Sequence, residues 1–142
     1  MDGLFFKREF PSSLDALRDT VDDALKALET GGWIGPDQHY HTWLCLEEAL
    51  VNAVVHGNRN DPRRSVSLEM IDEGDRCRIL VRDEGDGFRP ESIHKPAADA
   101  MTGRGVFLMK CFMKGVTFNE SERCLEMVLP RKGLSEGGSA DE

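Results

Sequence analysis

Hydrophobic and polar residues follow two periods along the first half of the chain. Residues 4–10 read as a short strand, and apolar residues then recur every three to four positions from Leu14 to Leu28, which predicts an amphipathic helix. After a glycine-rich break, a second helix is expected from Pro36 to about Asn58, where glycine and asparagine supply helix-stop chemistry. This half is therefore expected to form one strand followed by two helices.

The second half of the chain is dominated by the alternation of apolar and polar residues that is typical of strands. The segment Glu73-Gly74-Asp75 suits a hairpin turn between the first two of these strands. The strands are expected at residues 65–72, 76–82, 116–118 and 124–129, with one further helix at 104–112. This grouping predicts an α+β fold, a two-layer sandwich in which helices pack on one face of a single mixed, mostly antiparallel sheet.

The bulk properties favour a single folded domain over residues 1–132 and a flexible acidic tail over residues 133–142. The 142 residues are 39% hydrophobic and 31% charged, and the formal net charge is −8. This acidic balance disfavours direct binding to nucleic acid, which needs Lys and Arg to neutralise phosphates. The sequence has neither an apolar stretch of ~18 residues nor a secretory signal, so no membrane association and a cytoplasmic location are expected.

A polar stripe on the second predicted helix is the first candidate for chemistry. Glu48, Asn52 and His56 are spaced four apart and would share one helix face, with the small residues Ala49 and Ala53 beside them. An asparagine side-chain oxygen is a ligand suited to magnesium, and a carboxylate one turn away can accept a proton from an attacking hydroxyl. The alternative interpretation of the stripe is a solvated helix face.

A glycine-rich turn follows the strand predicted at 76–82. In the segment Asp83-Glu84-Gly85-Asp86-Gly87, the two glycines permit positive φ angles and leave no Cβ in the way, so the backbone could pass close to a flat ligand. Asp83 could accept a hydrogen bond from an exocyclic amine such as that of adenine. A plain acidic turn is the alternative, because aspartate and glycine are common turn formers.

A third segment places two glycines at the start of the helix predicted at 104–112. The backbone amides of Gly103 and Gly105, together with the positive end of that helix, could cradle phosphate groups. Arg104 and Lys110 would add positive charge there. The spacing of a P-loop is absent. A helix cap with ordinary flexible glycines is the alternative.

The order and setting of these three motifs resemble those of the ATPase superfamily that includes gyrase, heat-shock chaperones, histidine kinases and MutL. Within that superfamily the chain is most similar to bacterial anti-sigma regulatory factors, which are serine-protein kinases of the switch-protein type. The resemblance covers roughly residues 10–130. One departure is that many relatives carry a Gly-Thr pair at the start of the final strand, where the threonine contacts adenine, whereas this chain has Cys124-Leu125.

The resemblance implies a role for the residues of the first two motifs. Asn52 would hold the magnesium ion that bridges the phosphates of ATP, and Glu48 would be the catalytic base for the acceptor serine. Asp83 would bind the adenine amine, with Gly85 and Gly87 shaping the pocket. These assignments place one nucleotide between the second helix and the glycine-rich turn.

The remaining motif residues receive less specific roles from the resemblance. Gly103, Arg104 and Gly105 would close over the phosphates as part of a lid. His56 is assigned only to the neighbourhood of the nucleotide. Glu47 matches no catalytic position of the family and is expected on another side of the helix, so it receives no catalytic role.

The function that the resemblance implies is partner switching. An ATP-dependent and magnesium-dependent kinase would phosphorylate a serine of an anti-sigma antagonist protein and would also sequester a sigma factor, and a homodimer is left open. The first alternative is a module of the same fold that sequesters a partner without catalysis, with or without bound ATP. The second is a detached ATPase domain of a histidine kinase that serves a separate phosphoacceptor protein.

Overall fold

Five strands, two main helices and two short helical segments make up the described part of the computed structural model, which comprises residues 3–85, 113–119 and 121–131. The strands are β1 (Leu4–Pro11), β2 (Ser65–Asp72), β3 (Arg76–Arg82), β4 (Gly115–Asn119) and β5 (Cys124–Pro130). The helices are α1 (Leu14–Thr30) and α2 (His39–Val51), with a 3₁₀ turn at Pro36–Gln38 and a π-helical segment at Asn52–Gly57. The helix predicted at 104–112 and the tail predicted at 133–142 lie outside the described residues.

The five strands form one sheet in the order β1-β2-β3-β5-β4. Each pairing within the described residues is antiparallel. The hairpin between β2 and β3 contains Gly74, whose φ of 93° suits a residue without a Cβ. The pairing of β1 with β2 is long-range, because both helices separate these strands in the sequence. The predicted α+β fold with a mostly antiparallel sheet is therefore confirmed.

The core lies between the two helices and one face of the sheet. Leu17 and Leu28 of α1, Leu46 of α2, and Leu68 and Ile79 of the sheet are all fully buried in the same cluster. The apolar residues that predict α1 thus form the face that packs on the strands from Leu17 onward, whereas Leu14 is half-exposed. No helix in the described ranges is both long and apolar enough to cross a membrane.

The second helix departs from its predicted form over its last residues. The pattern predicts one continuous α-helix to about Asn58, whereas the segment Asn52–Gly57 is π-helical. The physical reason is a backbone hydrogen bond that spans five residues instead of four, in which the Asn58 N–H donates to the Ala53 carbonyl at 2.8 Å. This wider turn changes which residues share a face beyond Asn52.

Candidate functional site

Asn52 is the most unusual polar residue near the end of α2. Its side chain is 1% exposed, and its amide nitrogen has no hydrogen-bond partner among the described residues. A buried amide that lacks a partner costs about 1–3 kcal/mol, so folded proteins rarely keep one without a reason. Rotation of the amide by 180° exchanges its nitrogen and oxygen, so Asn52 can present either a donor or a metal ligand. These properties are expected of a residue whose missing hydrogen-bond or metal partner is supplied by a ligand.

Glu48 lies one helical turn before Asn52 and is half-buried. Burial raises the pKa of this carboxyl above its ordinary value, and the charge of the neighbouring Glu47 raises it further. A carboxylate with a raised pKa holds a proton more readily, which is the property that a catalytic base needs near neutral pH. Glu47 itself lines a different groove, between α1 and α2, together with Trp43.

His56 does not share the environment of Asn52. The sequence predicts one stripe through Glu48, Asn52 and His56, on the assumption that the helix keeps an α-helical period. The π-helical segment breaks that period, and His56 is exposed while Asn52 is buried. The structure therefore places Glu48 on α2, one turn before Asn52 at the start of the π-helical segment, and places His56 at the surface.

Asp83 follows the last residue of β3 and packs directly against the end of the π-helical segment. Its Oδ1 accepts a hydrogen bond from the Gly85 N–H at 2.8 Å. A Cβ at Gly57 would overlap the Asp83 carboxylate, so only glycine allows this contact. The two segments that carry Asn52 and Asp83 are thus in van der Waals contact.

Gly85 serves a different purpose from the one that the sequence predicts. The expectation is a positive φ angle and an open approach for a ligand, but Gly85 is not among the described residues with positive φ. Instead, a Cβ at Gly85 would overlap the carbonyl oxygen of Gly57. Glycine is required here because two backbone segments pass very close to each other, and that contact fixes the turn after β3.

A small cavity joins these elements to the far strands of the sheet. It is lined by Ala49, Ala53, Val81, Asp83, Phe118, Arg123 and Leu125. Most of these side chains are apolar, and the Asp83 carboxylate is an acceptor among them. The cavity is only about 10 Å³ in this structure, so it does not hold a ring as it stands. Its lining nevertheless combines apolar side chains with one acceptor, which is the chemistry that a flat heteroaromatic ring with an exocyclic amine requires.

Sequence reasoning missed three residues of this region. Asn58, which the sequence suggests only as a helix stop, is 0% exposed, and its side chain contacts three other segments. Gly57 has the same helix-stop signal but is required by its contact with Asp83. Arg123 lines the cavity from the β4–β5 turn with a φ of 54°. No local sequence signal distinguishes these residues from ordinary turn formers.

The remaining predicted site residues fall in the part of the chain that the structure does not describe. These are Gly87, Gly103, Arg104 and Gly105. Their predicted roles in shaping the pocket and closing over phosphates stay predictions. The described residues supply one half of the expected site, formed by the end of α2, the π-helical segment and the turn after β3.

A substitution at Gly57 tests whether its contact with Asp83 holds the site together. Gly57→Ala should lower the free energy of unfolding by about 1–3 kcal/mol, because the added methyl group overlaps the carboxylate. Gly115→Ala is the matched control, since among the described residues a Cβ there would meet Val128 alone, at ordinary contact distance. Urea denaturation of both variants measures the difference. Equal stability of the two variants would contradict the tight packing.

Comparison with known proteins agrees with this geometry. Residues 10–129 match a family described as histidine kinase-like ATPase domain. A protein named anti-sigma F factor from Geobacillus stearothermophilus is 36% identical over 78 residues, which are 50% of this chain and 53% of that protein. Proteins of the same name from Geobacillus thermodenitrificans (strain NG80-2) and Oceanobacillus iheyensis are 34% identical over 84 residues and 31% identical over 78 residues. These matches cover 54% and 50% of this chain and 56% and 53% of those proteins, so the chain spans about half the length of the curated relatives it matches.

Proposed function

The chain belongs to the histidine kinase-like ATPase domain family, and from this premise we propose that it is an ATP-dependent protein-serine kinase that acts as an anti-sigma regulatory factor. The observation that carries the proposal is the buried amide nitrogen of Asn52, which has no hydrogen-bond partner among the described residues and lies one turn from Glu48, whose pKa is raised by burial. A solvated helix face, the alternative interpretation of these residues, would leave the amide in contact with water. The arrangement instead supports a bound group at this point.

Two of the described side chains offer atoms that magnesium and ATP would need. Asn52 would hold the ion through its side-chain oxygen, and the ion when bound neutralises charge on the phosphates. Asp83 would accept a hydrogen bond from the exocyclic amine of adenine, with the ring against the apolar residues that line the cavity. By the same proposal Gly87 shapes the pocket, and Gly103, Arg104 and Gly105 close over the phosphates. His56 is exposed and apart from Asn52, so by this proposal it would lie at most at the edge of the nucleotide site.

Glu48 would act as the catalytic base. The serine hydroxyl of the partner gives its proton to the Glu48 carboxylate while its oxygen bonds to the terminal phosphorus of ATP. The bond from that phosphorus to the bridging oxygen breaks, and ADP leaves. No covalent intermediate on the protein is needed, because positioning and charge neutralisation account for most catalysis of phosphoryl transfer.

The partners in this proposal are a sigma factor, which the protein sequesters, and an anti-sigma antagonist, which it phosphorylates. The names of the curated relatives support the first of these partners. The formal net charge of −8 would favour association with a basic surface of a sigma factor. A cytoplasmic location and a homodimer belong to the same proposal.

A second candidate function is a sequestering module of the same fold without catalysis. Leu125 favours it, because this apolar side chain lines the cavity and offers no hydroxyl to a purine ring. Weaker or altered base recognition would follow, and partner binding could then proceed without phosphoryl transfer. The two candidates differ in one measurable product, which is phosphoserine on the antagonist.

The experiment that tests the proposed function is a calorimetric titration with Mg-ATP, followed by incubation with a candidate antagonist and radiolabelled ATP. Asp83→Ala should abolish ATP binding. Asp72→Ala is a matched control, since Asp72 accepts a hydrogen bond from the Gly74 N–H at 2.8 Å, as Asp83 does from Gly85, but does not line the cavity.

Four results of this experiment separate the candidates. Binding of ATP with acid-stable phosphoserine on the antagonist supports the kinase, and acid-labile phosphohistidine would instead indicate a histidine-kinase domain. Binding of ATP without transfer would favour the sequestering module. If the wild-type protein shows no binding of Mg-ATP, the kinase is excluded.

A further inference from the structure

Asn58 is a buried residue near the candidate site whose side chain makes three hydrogen bonds. It is 0% exposed, and its Nδ2 donates to the Ser12 Oγ and to the Ser65 carbonyl, both at 2.9 Å. Its Oδ1 accepts a hydrogen bond from the Glu84 N–H at 2.7 Å. Both ends of the amide are therefore paired, and they join segments that are far apart in the sequence.

The backbone of Asn58 takes part in the same connection. Its N–H donates to the Ala53 carbonyl at 2.8 Å and so closes the π-helical segment that begins at Asn52. Its side chain meanwhile holds Glu84, the middle residue of the turn Asp83–Gly85. Asn58 thus connects the segment that carries the proposed magnesium ligand to the turn that carries the proposed adenine acceptor.

The contacts of Gly57 make this connection sensitive to small movements. Gly57 touches the Asp83 carboxylate and approaches Gly85 so closely that neither glycine has room for a Cβ. A shift of the turn relative to the π-helical segment would have to separate these surfaces. Two hydrogen bonds of Glu84 oppose such a shift: its N–H donates to the Asn58 Oδ1 at 2.7 Å, and its Oε1 accepts from the Ser65 N–H at 3.0 Å. The first of them holds the backbone of the turn directly.

We propose that Asn58 is a positioning residue that fixes the turn Asp83–Gly85 relative to Asn52 and thereby sets the affinity for the nucleotide. This inference rests on the proposed binding of ATP. Asn58 touches no reacting atom and acts through Asp83 and Gly85, whose placement decides whether one nucleotide can reach both halves of the site.

A role in stability alone is the competing explanation, and Ser12 provides the control for it. Ser12 is buried, accepts a hydrogen bond from Asn58 Nδ2, and donates to the Arg64 carbonyl at 2.9 Å. Ser12→Ala removes a partner from the same asparagine and disturbs the same buried network, but it leaves the bond to the Glu84 N–H in place. Asn58→Ala removes the bonds to Ser12, to the Ser65 carbonyl and to the Glu84 N–H. The difference between the two variants therefore contains the bond to the turn together with the bond to Ser65.

A conservative variant adds a rescue to this comparison. Asn58→Asp keeps an acceptor for the Glu84 N–H but loses the donors to Ser12 and Ser65. It should be less stable than the wild type because a carboxyl group is buried. If Asn58 acts through the turn, this variant should nevertheless retain the position of Asp83 and Gly85.

The three variants are expected to differ in their affinity for Mg-ATP in a way that their stabilities do not explain. Asn58→Ala should weaken binding of Mg-ATP about tenfold, whereas Ser12→Ala and Asn58→Asp should stay within about threefold of the wild type. In the nucleotide-free protein, hydrogen exchange followed by NMR should show lost protection of the Glu84 amide in Asn58→Ala and retained protection in the other two variants.

Two outcomes would overturn the inference. One is equal weakening of ATP binding by Asn58→Ala and Ser12→Ala, and the other is unchanged protection of the Glu84 amide in Asn58→Ala. Absence of Mg-ATP binding by the wild type would instead refute the proposed function. In that case the exchange data would still show whether Asn58 holds the turn, so the two failures are distinguishable.

Discussion

Replacing Glu48 by glutamine is expected to lower the rate of phosphoryl transfer to serine by about 10²- to 10⁴-fold and to leave the affinity for Mg-ATP within about threefold. The amide of glutamine has nearly the size of the carboxylate but cannot accept the proton of an attacking hydroxyl. Glu48 is half-buried and is proposed to contact the acceptor serine but not the nucleotide. The affinity for Mg-ATP should therefore be preserved. Single-turnover transfer to the antagonist measures the rate, and calorimetry measures the affinity.

Glu47→Gln is the matched control for this prediction. Glu47 is the adjacent residue on the same helix, carries the same group and lines the groove between α1 and α2. Its replacement should change the transfer rate by less than about threefold. A comparable loss of activity in both variants would mean that general negative charge on α2 matters, and that Glu48 is not the base.

The pH dependence of stability provides a second readout of the same substitution. Burial raises the pKa of Glu48 above its ordinary value of 4.5, so the folded protein holds this proton more tightly than the unfolded chain does. The contribution of Glu48 to stability is therefore complete below that ordinary value and is lost as pH rises through the folded pKa. Glutamine has no such loss. Thermal melts should show Glu48→Gln above the wild type at neutral pH, with the difference vanishing near pH 4.

Most of the fold can be predicted from the local pattern of apolar and polar residues. Apolar residues of α1 recur with a helical period, and those of β2 and β3 alternate, because each element has one face on a common core. Each of these patterns can be recognised within a few helical turns or strand residues, without knowledge of contacts to distant segments. The π-helical segment Asn52–Gly57 is different, since Asn58 is held by Ser12 and Glu84, which lie 46 and 26 residues away.

The limits of sequence reasoning are clearest in a repeated tripeptide. Asp-Glu-Gly occurs at residues 72–74 and again at residues 83–85, each time directly at the end of a strand. Both aspartates accept a hydrogen bond from the glycine N–H at 2.8 Å. Only the second lines the cavity, because β3 ends beside the π-helical segment and β2 ends at a hairpin. The position of a turn in the sheet, and not its local sequence, makes it part of a site.

Asn52→Ala is expected to weaken the binding of Mg-ATP by at least about 100-fold and to leave the melting temperature within about 2 °C of the wild type. The proposed magnesium ligand is lost, which explains the first effect. The second effect follows because the Asn52 amide nitrogen has no partner among the described residues, so its removal also relieves a buried polar group. Calorimetry and thermal denaturation of the same preparation measure both quantities.

Asn58→Ala is the natural comparison, because both asparagines are buried and lie six residues apart in the chain. Asn58 loses three paired hydrogen bonds on substitution, so its variant should melt about 6–10 °C below the wild type. A large loss of stability in Asn52→Ala would show that its amide is satisfied within the fold. Retained stability with lost ATP binding would show that the buried Asn52 amide contributes to ligand binding and not to folding. Such a residue is expected where the requirements of a functional site limit stability.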